Sequence, residues 1–390
     1  MQRRSFFASV VATFAVSTVL RRAEAAQTAV TNKTRWKVRS SEGFDAIAFL
    51  GPLSGGKLYT DYYGPDAATF ALRLPEPVRN DIANLSSTAT AEGLGLLGPN
   101  LSVLFSANGA DATIDSLLVA LREREQRIRP SYAASPYWNE KDWSWFDAAA
   151  PRLDIIFTAM RDAGFASFRA ERVGTELNTR IAGVQRSLGN FDIITWQEKL
   201  TGRSFDPTIE IVLLQFSKPH GIKVQGQTFL QAIDYDVATT IRIAAHEMLH
   251  PPVPMDGAAA LAALAVFKRD PLINRIVRDH DPRWGYTSLD GLLNEDLTQA
   301  LDQLISEALG VARNPADRWH KSDDGMHVLA AGFYGLLRQD RWIDTGGSIE
   351  AWLGDAVRRG YLTPAVLYPI ASRVLERPID KLWPLEKVSS

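Results

Sequence analysis

Cysteine is missing from the 390-residue chain. That absence removes disulfides, thiolate metal sites, iron–sulfur clusters and cysteine nucleophiles together, so any metal has to be held by His, Asp and Glu. Histidine is itself scarce, at six. An excess of basic charge is also missing: 43 Lys and Arg stand against 45 Asp and Glu, a formal net charge of −2. So balanced a chain lacks the electrostatic footprint of a nucleic-acid partner, and none is expected. No apolar run is long enough for a stable membrane span; the uncharged stretch from Ser5 to Leu20 falls short of the roughly 20 residues required. What is present, 46% hydrophobic and 23% charged residues, is the composition of a globular protein with a sizeable core.

The first 25 residues carry a different signal. Arg3 and Arg4 precede the Ser5–Leu20 run, and Ala23-Glu24-Ala25 makes a small-x-small cleavage pattern. This reads as a signal peptide over 1–25. The paired arginines followed by Ser5-Phe6-Phe7 resemble the twin-arginine export signal, which implies the twin-arginine export machinery as a partner and delivery of a folded chain to the periplasm or the outside.

From Thr34 to Asn108, Gly and Pro punctuate short apolar runs, and short helices and loops are expected. Helical spacing with Glu123–Arg127 and Glu125–Arg129 pairs follows over 113–130, then helices over 146–163, 165–187 and 191–200. The aromatic-rich stretch YAASPYWNEKDWSWF, 132–146, is expected to fill core. Near 206 the period changes. Ile209–Phe216 is β-branched and apolar, Gly221–Val224 alternates, and Thr228–Ala232 is a third short run, predicting a small antiparallel sheet. Helices return from Asp236, with further ones over 256–268, 289–309 and, approximately, 326–338, 347–359 and 363–376. The fold class expected is α+β and mostly helical, organised as a signal peptide (1–25), a helical N-terminal region (26–205) and a catalytic region (206–390).

The chemistry concentrates in AAHEMLHPP, 244–252. Residues four apart lie on one helix face, so His246 and His250 can address one ion. Glu247 is turned about 100° away, where it can serve as the base for a water activated by that ion rather than as a ligand. Pro251 limits the helix, because the residue before a proline is pushed out of the α region. Zinc is the expected cofactor, and a catalytic zinc needs a third protein ligand.

Downstream, LLNEDLTQAL (292–301) resembles the glutamate helix of the gluzincin metallopeptidases, where a Leu-Asn-Glu or similar run carries that third ligand. The resemblance spans about 206–310. It implies a zincin-like catalytic domain, Glu295 as the ligand, and hydrolysis of a peptide or protein substrate with Glu247 as general base. It implies also a Tyr or His some way past the glutamate that stabilises the oxyanion, for which Tyr361 lies in range; Tyr286, His320 and His327 are rivals. By the same resemblance Ile209–Phe216 belongs to a sheet whose edge pairs with substrate, and Thr298 and Gln299 hydrogen-bond the ligands. The metzincin pattern offers Asp256 as a competing third ligand, but Val253 stands where that pattern requires glycine for a sharp turn. Two other readings use the same residues. One is a non-catalytic envelope binding protein on a zincin scaffold; the other is a zinc amide hydrolase of cell-wall material, with Trp138 to Trp145 as a sugar platform.

Overall fold

Thr208–Leu214 reads TIEIVLL, an apolar run with little alternation, which is what a strand covered on both faces requires. It takes an inner position in the sheet. In the computed structural model, which describes residues 32–91 and 98–384, four strands are ordered β1-β2-β4-β3: β1 (Arg35–Ser40), β2 (Thr208–Leu214), β3 (Gly221–Gln225) and β4 (Thr228–Ala232). β1 and β4 flank β2 in parallel, and β3 returns antiparallel on the outer side of β4. The sheet is therefore mixed, not antiparallel as expected. The Thr34–Asn108 stretch, expected as helices and loops, opens instead with β1. Strand pairing between Arg35–Ser40 and Thr208–Leu214 draws the sheet from both sides of the 205/206 division. The described residues, from Asn32 on, form one compact unit.

Side-chain alternation along β2 divides the interior. Ile209, Ile211 and Leu213 join Ile241, Ala244 and Met248 of the following helix in one core. Val212, Leu214 and Phe216 enter a second, with the N-terminal helices, where Phe216 lies 4.2 Å from Phe49 between ring centroids. Tyr132, Trp143 and Phe146 are buried in that second core, and Trp138 and Trp145 pack against it. The aromatic cluster thus contributes to this core, with Trp138 and Trp145 partly buried at its margin.

A third core belongs to the C-terminal helices and is built around Leu289–Ala308. Two expected helices are split by the backbone. The 113–130 helix becomes Ile114–Arg122 and Arg124–Ala133, and the 165–187 helix is interrupted at Gly174, whose φ of 76° leaves the helical region. No helix among the described residues is long and apolar enough to cross a membrane. The segment expected as signal peptide lies outside the described residues.

Candidate metal centre

Asp236 starts the histidine helix, Val237–Glu247, by accepting the backbone N–H of Thr239 at 2.6 Å. The helix stops one turn earlier than expected. Its last hydrogen bonds tighten, with Leu249 N–H donating to His246 O at 3.0 Å, and His250 sits in the turn beyond. Pro251 has no N–H to continue the ladder, and the carbonyls left over find other donors. Lys223 Nζ donates to His250 O at 2.7 Å, and Arg203 Nη1 to Pro251 O at 2.6 Å. A lost turn of helix thus still leaves His250 held in place.

The glutamate helix, Leu289–Ala308, is capped by Ser288 and buried along most of its length. It carries Glu295, 3% exposed, to the two imidazoles. His246 Nε2 and His250 Nε2 are 3.1 Å apart; Glu295 Oε1 is 3.4 Å from the first and Oε2 is 3.4 Å from the second. Among the described residues this is the group of three that can hold a metal ion. Asp256 does not belong to it, and lies in the turn before the helix Ala258–Phe267.

The outer partners decide which atoms face the centre. His246 Nδ1 donates to Asp302 Oδ2 at 2.7 Å, and Arg318 grips Asp302 through both terminal nitrogens, Nη2 to Oδ2 at 2.9 Å. His250 Nδ1 donates to Asn294 Oδ1 at 3.3 Å and to Thr298 Oγ1 at 3.4 Å. Both Nδ1 protons are thereby committed, and both Nε2 lone pairs point inward. Two lone pairs and a carboxylate at this spacing repel one another unless a cation or protons lie between them. Gln299 Nε2 donates to Glu295 Oε1 at 2.8 Å, and its own oxygen accepts from Trp319 Nε1 at 2.7 Å. Thr298 thus touches His250 and Gln299 touches Glu295, as the resemblance implied.

Charge follows this arrangement. Burial pulls His246 down, but Glu295 and Asp302 outweigh it and raise the imidazole to about 9. Burial pushes Glu295 up, yet His246 and His250 bring its carboxyl well below the usual range. Glu247 lies beside the group, where Lys223 N–H donates to its Oε2 at 2.9 Å; burial raises its carboxyl against the pull of both histidines. That contact comes from the side of β3 away from β4, so the outer edge of β3 faces the centre. β2 lies inside the same sheet, paired on both sides.

Tyr361 is elsewhere. Its ring carries the Arg359 guanidinium at 4.3 Å and its hydroxyl pairs with the same residue. The tyrosine brought near the centre is Tyr286, its ring 6.3 Å from that of His327 between centroids and its hydroxyl made less acidic by burial and by the charge of Glu295. Its φ of 58° turns the backbone just before the glutamate helix so that the ring faces inward. His327 lies behind Glu295, wholly buried, with Nδ1 on Asp296 Oδ1 at 2.6 Å and Nε2 on Asp323 Oδ2 at 2.8 Å. His320 is not in the cluster. Asp302 and Arg318 were not anticipated, although Asp302 stands two helical turns past Glu295 on the same face. No family model, curated protein or solved structure matches the chain.

Proposed function

We propose that this is a zinc-dependent metallopeptidase of gluzincin type, with His246, His250 and Glu295 as ligands and Glu247 as general base. The observation that carries the reading is the convergence of three donors, from the histidine helix, the turn after it and the glutamate helix, with the non-ligating carboxylate of Glu247 beside them. Zinc is favoured over other ions by donor chemistry, two imidazoles and one carboxylate, and by spacing. Ligands at about 2.0–2.1 Å from a tetrahedral ion lie roughly 3.3–3.4 Å from one another, close to the separations found here. Calcium and magnesium prefer all-oxygen shells. When bound, zinc supplies Lewis acidity and lowers the pKa of a water toward neutrality.

The chain's own residues would do the rest. Glu247 accepts a proton at its carboxylate and later returns it to the leaving amine. Asp302, locked by Arg318, keeps His246 in the tautomer that offers Nε2. An extended substrate backbone would run beside the outer edge of β3, the side that faces the centre, which supports cleavage of a peptide rather than a compact substrate. Tyr286 replaces Tyr361 as the candidate donor to the substrate oxyanion. Tyr286→Phe is expected to lower kcat by about a hundredfold, whereas Tyr361→Phe leaves it unchanged; steady-state rates on one peptide decide between them.

Export remains part of the proposal, resting on the N-terminal motif, and cleavage after Ala25 is checked by the N-terminal sequence of the secreted chain. The central test pairs elemental analysis with hydrolysis of a quenched-fluorescent peptide library. One zinc per chain and peptide cleavage lost in Glu247→Gln, with zinc retained, are expected. A folded chain that takes up no zinc would end this reading.

A further inference from the structure

A cavity of about 340 Å³ opens beside the metal centre, on the face of the histidine helix that carries His246, Ile243, Arg242 and Thr239. Its far wall is formed in part by Arg313 and Arg318. Three guanidiniums so close together need counter-charges, and the hydrogen bonds show which of them has one. Arg318 is satisfied by Asp302. Arg242 has no carboxylate: Nη1 donates to Val311 O at 2.9 Å and Nη2 to Thr239 Oγ1 at 2.7 Å. Among the described residues Arg313 forms no ion pair, and its side chain donates no hydrogen bond.

The acids of the same cavity are already engaged. Asp323 holds His327, Glu295 belongs to the metal ligands, and Glu247 accepts from Lys223. Partial burial, then the charges of Arg318 and Arg242, make Arg313 less basic than an ordinary arginine. A bound divalent ion would deepen that positive potential. Planar guanidiniums with free donors match a carboxylate, which they can grip through two parallel hydrogen bonds.

We propose that this cavity receives a carboxylate of the substrate, with Arg242 and Arg313 as its cationic partners, so that the site selects peptides bearing a negative charge close to the bond at the metal. The inference rests on the peptidase reading for its substrate class, but not on turnover. Two sources supply the same chemistry: the α-carboxylate at a peptide's C-terminus, or an internal Asp or Glu side chain. Ile243, between Thr239 and His246 on the cavity wall, adds an apolar surface for the stem that carries the charge.

The test uses zinc-loaded, full-length mature protein carrying Glu247→Gln, so that bound peptide persists, and isothermal titration with N-acetylated hexapeptides of one parent sequence. One arm compares the free C-terminal acid with its amide. The other compares Glu with Gln at each internal position of the amide. The charged member of at least one pair is expected to bind about tenfold tighter or better, the effect of a charge-assisted hydrogen bond. The preference should collapse in Arg313→Gln and in Arg242→Gln. Arg313 is exposed and Arg242 half-buried, and circular dichroism checks the folding of both variants. A free-acid preference identifies the terminal carboxylate, and a Glu preference the side chain. Equal binding of charged and neutral members, binding of neither at millimolar concentration, or a preference that survives both arginine substitutions would overturn the inference. Wild-type hydrolysis of the neutral parent is followed separately. Its failure counts against the peptidase reading, whereas cleavage without charge preference counts only against the arginine pocket.

Discussion

Asp302 contributes no ligand atom, yet it accepts the proton that fixes which nitrogen His246 offers. Asp302→Asn can still accept from His246 but loses the charge that holds Arg318, and zinc affinity is expected to fall by about 10- to 100-fold. Competition against a fluorescent chelator measures this. His327 is informative in the opposite way, because both its nitrogens face carboxylates and only the imidazolium donates to both. Burial lowers it, but Asp296 and Asp323 outweigh burial and raise it to about 10. A folded-state value above the unfolded one of about 6.5 means stability fully present below that pH and lost as pH rises through about 10. Metal-free wild type should therefore lose its advantage over His327→Gln between those limits, in denaturant melts at stepped pH. Nitrogen-15 histidine spectra should show an imidazolium at pH 8. Neither neighbour was visible from spacing. His246, Glu247 and His250 were, since helical geometry links sequence intervals to faces, and Glu295 was suggested by the resemblance of its helix; Arg313 and Arg318 come from separate segments of the chain.

At the level of elements, the histidine helix is short, capped at one end and stopped by prolines at the other. Asp236 accepts from Thr239 N–H with its side chain, so Asp236→Ala is expected to cost about 1 kcal/mol, measured by chemical denaturation, with zinc stoichiometry unchanged. The stop at Pro251 was legible from the residue types. That His250 would fall outside the helix and still meet His246 was not, because its carbonyl depends on Lys223 from β3. The sheet shows the same division. Runs of β-branched residues located β2, β3 and β4, but the parallel pairing of β1 with β2 is a long-range contact that local pattern does not encode. The strand facing the site is β3.

Across the described residues, the three side chains that can hold a metal ion join the helix packed on the sheet to the helical C-terminal core. A metal that binds only the folded arrangement stabilises it by mass action, about 4 kcal/mol at a free concentration a thousandfold above the dissociation constant. Chelation should lower the thermal midpoint of wild type, zinc should restore it, and Glu295→Gln should respond to neither; scanning calorimetry reads all three. Absence of cysteine, balanced charge, helical predominance and the His-Glu-x-x-His interval were determined by the sequence, since each depends on composition or on neighbours within a turn or two. The tertiary structure alone decided that the sheet is mixed, that Tyr286 and not Tyr361 stands at the centre, and that two arginines without acidic partners line the adjoining cavity. Those features arise where distant segments meet, and the burial that makes their charges consequential exists only after the chain has closed around them.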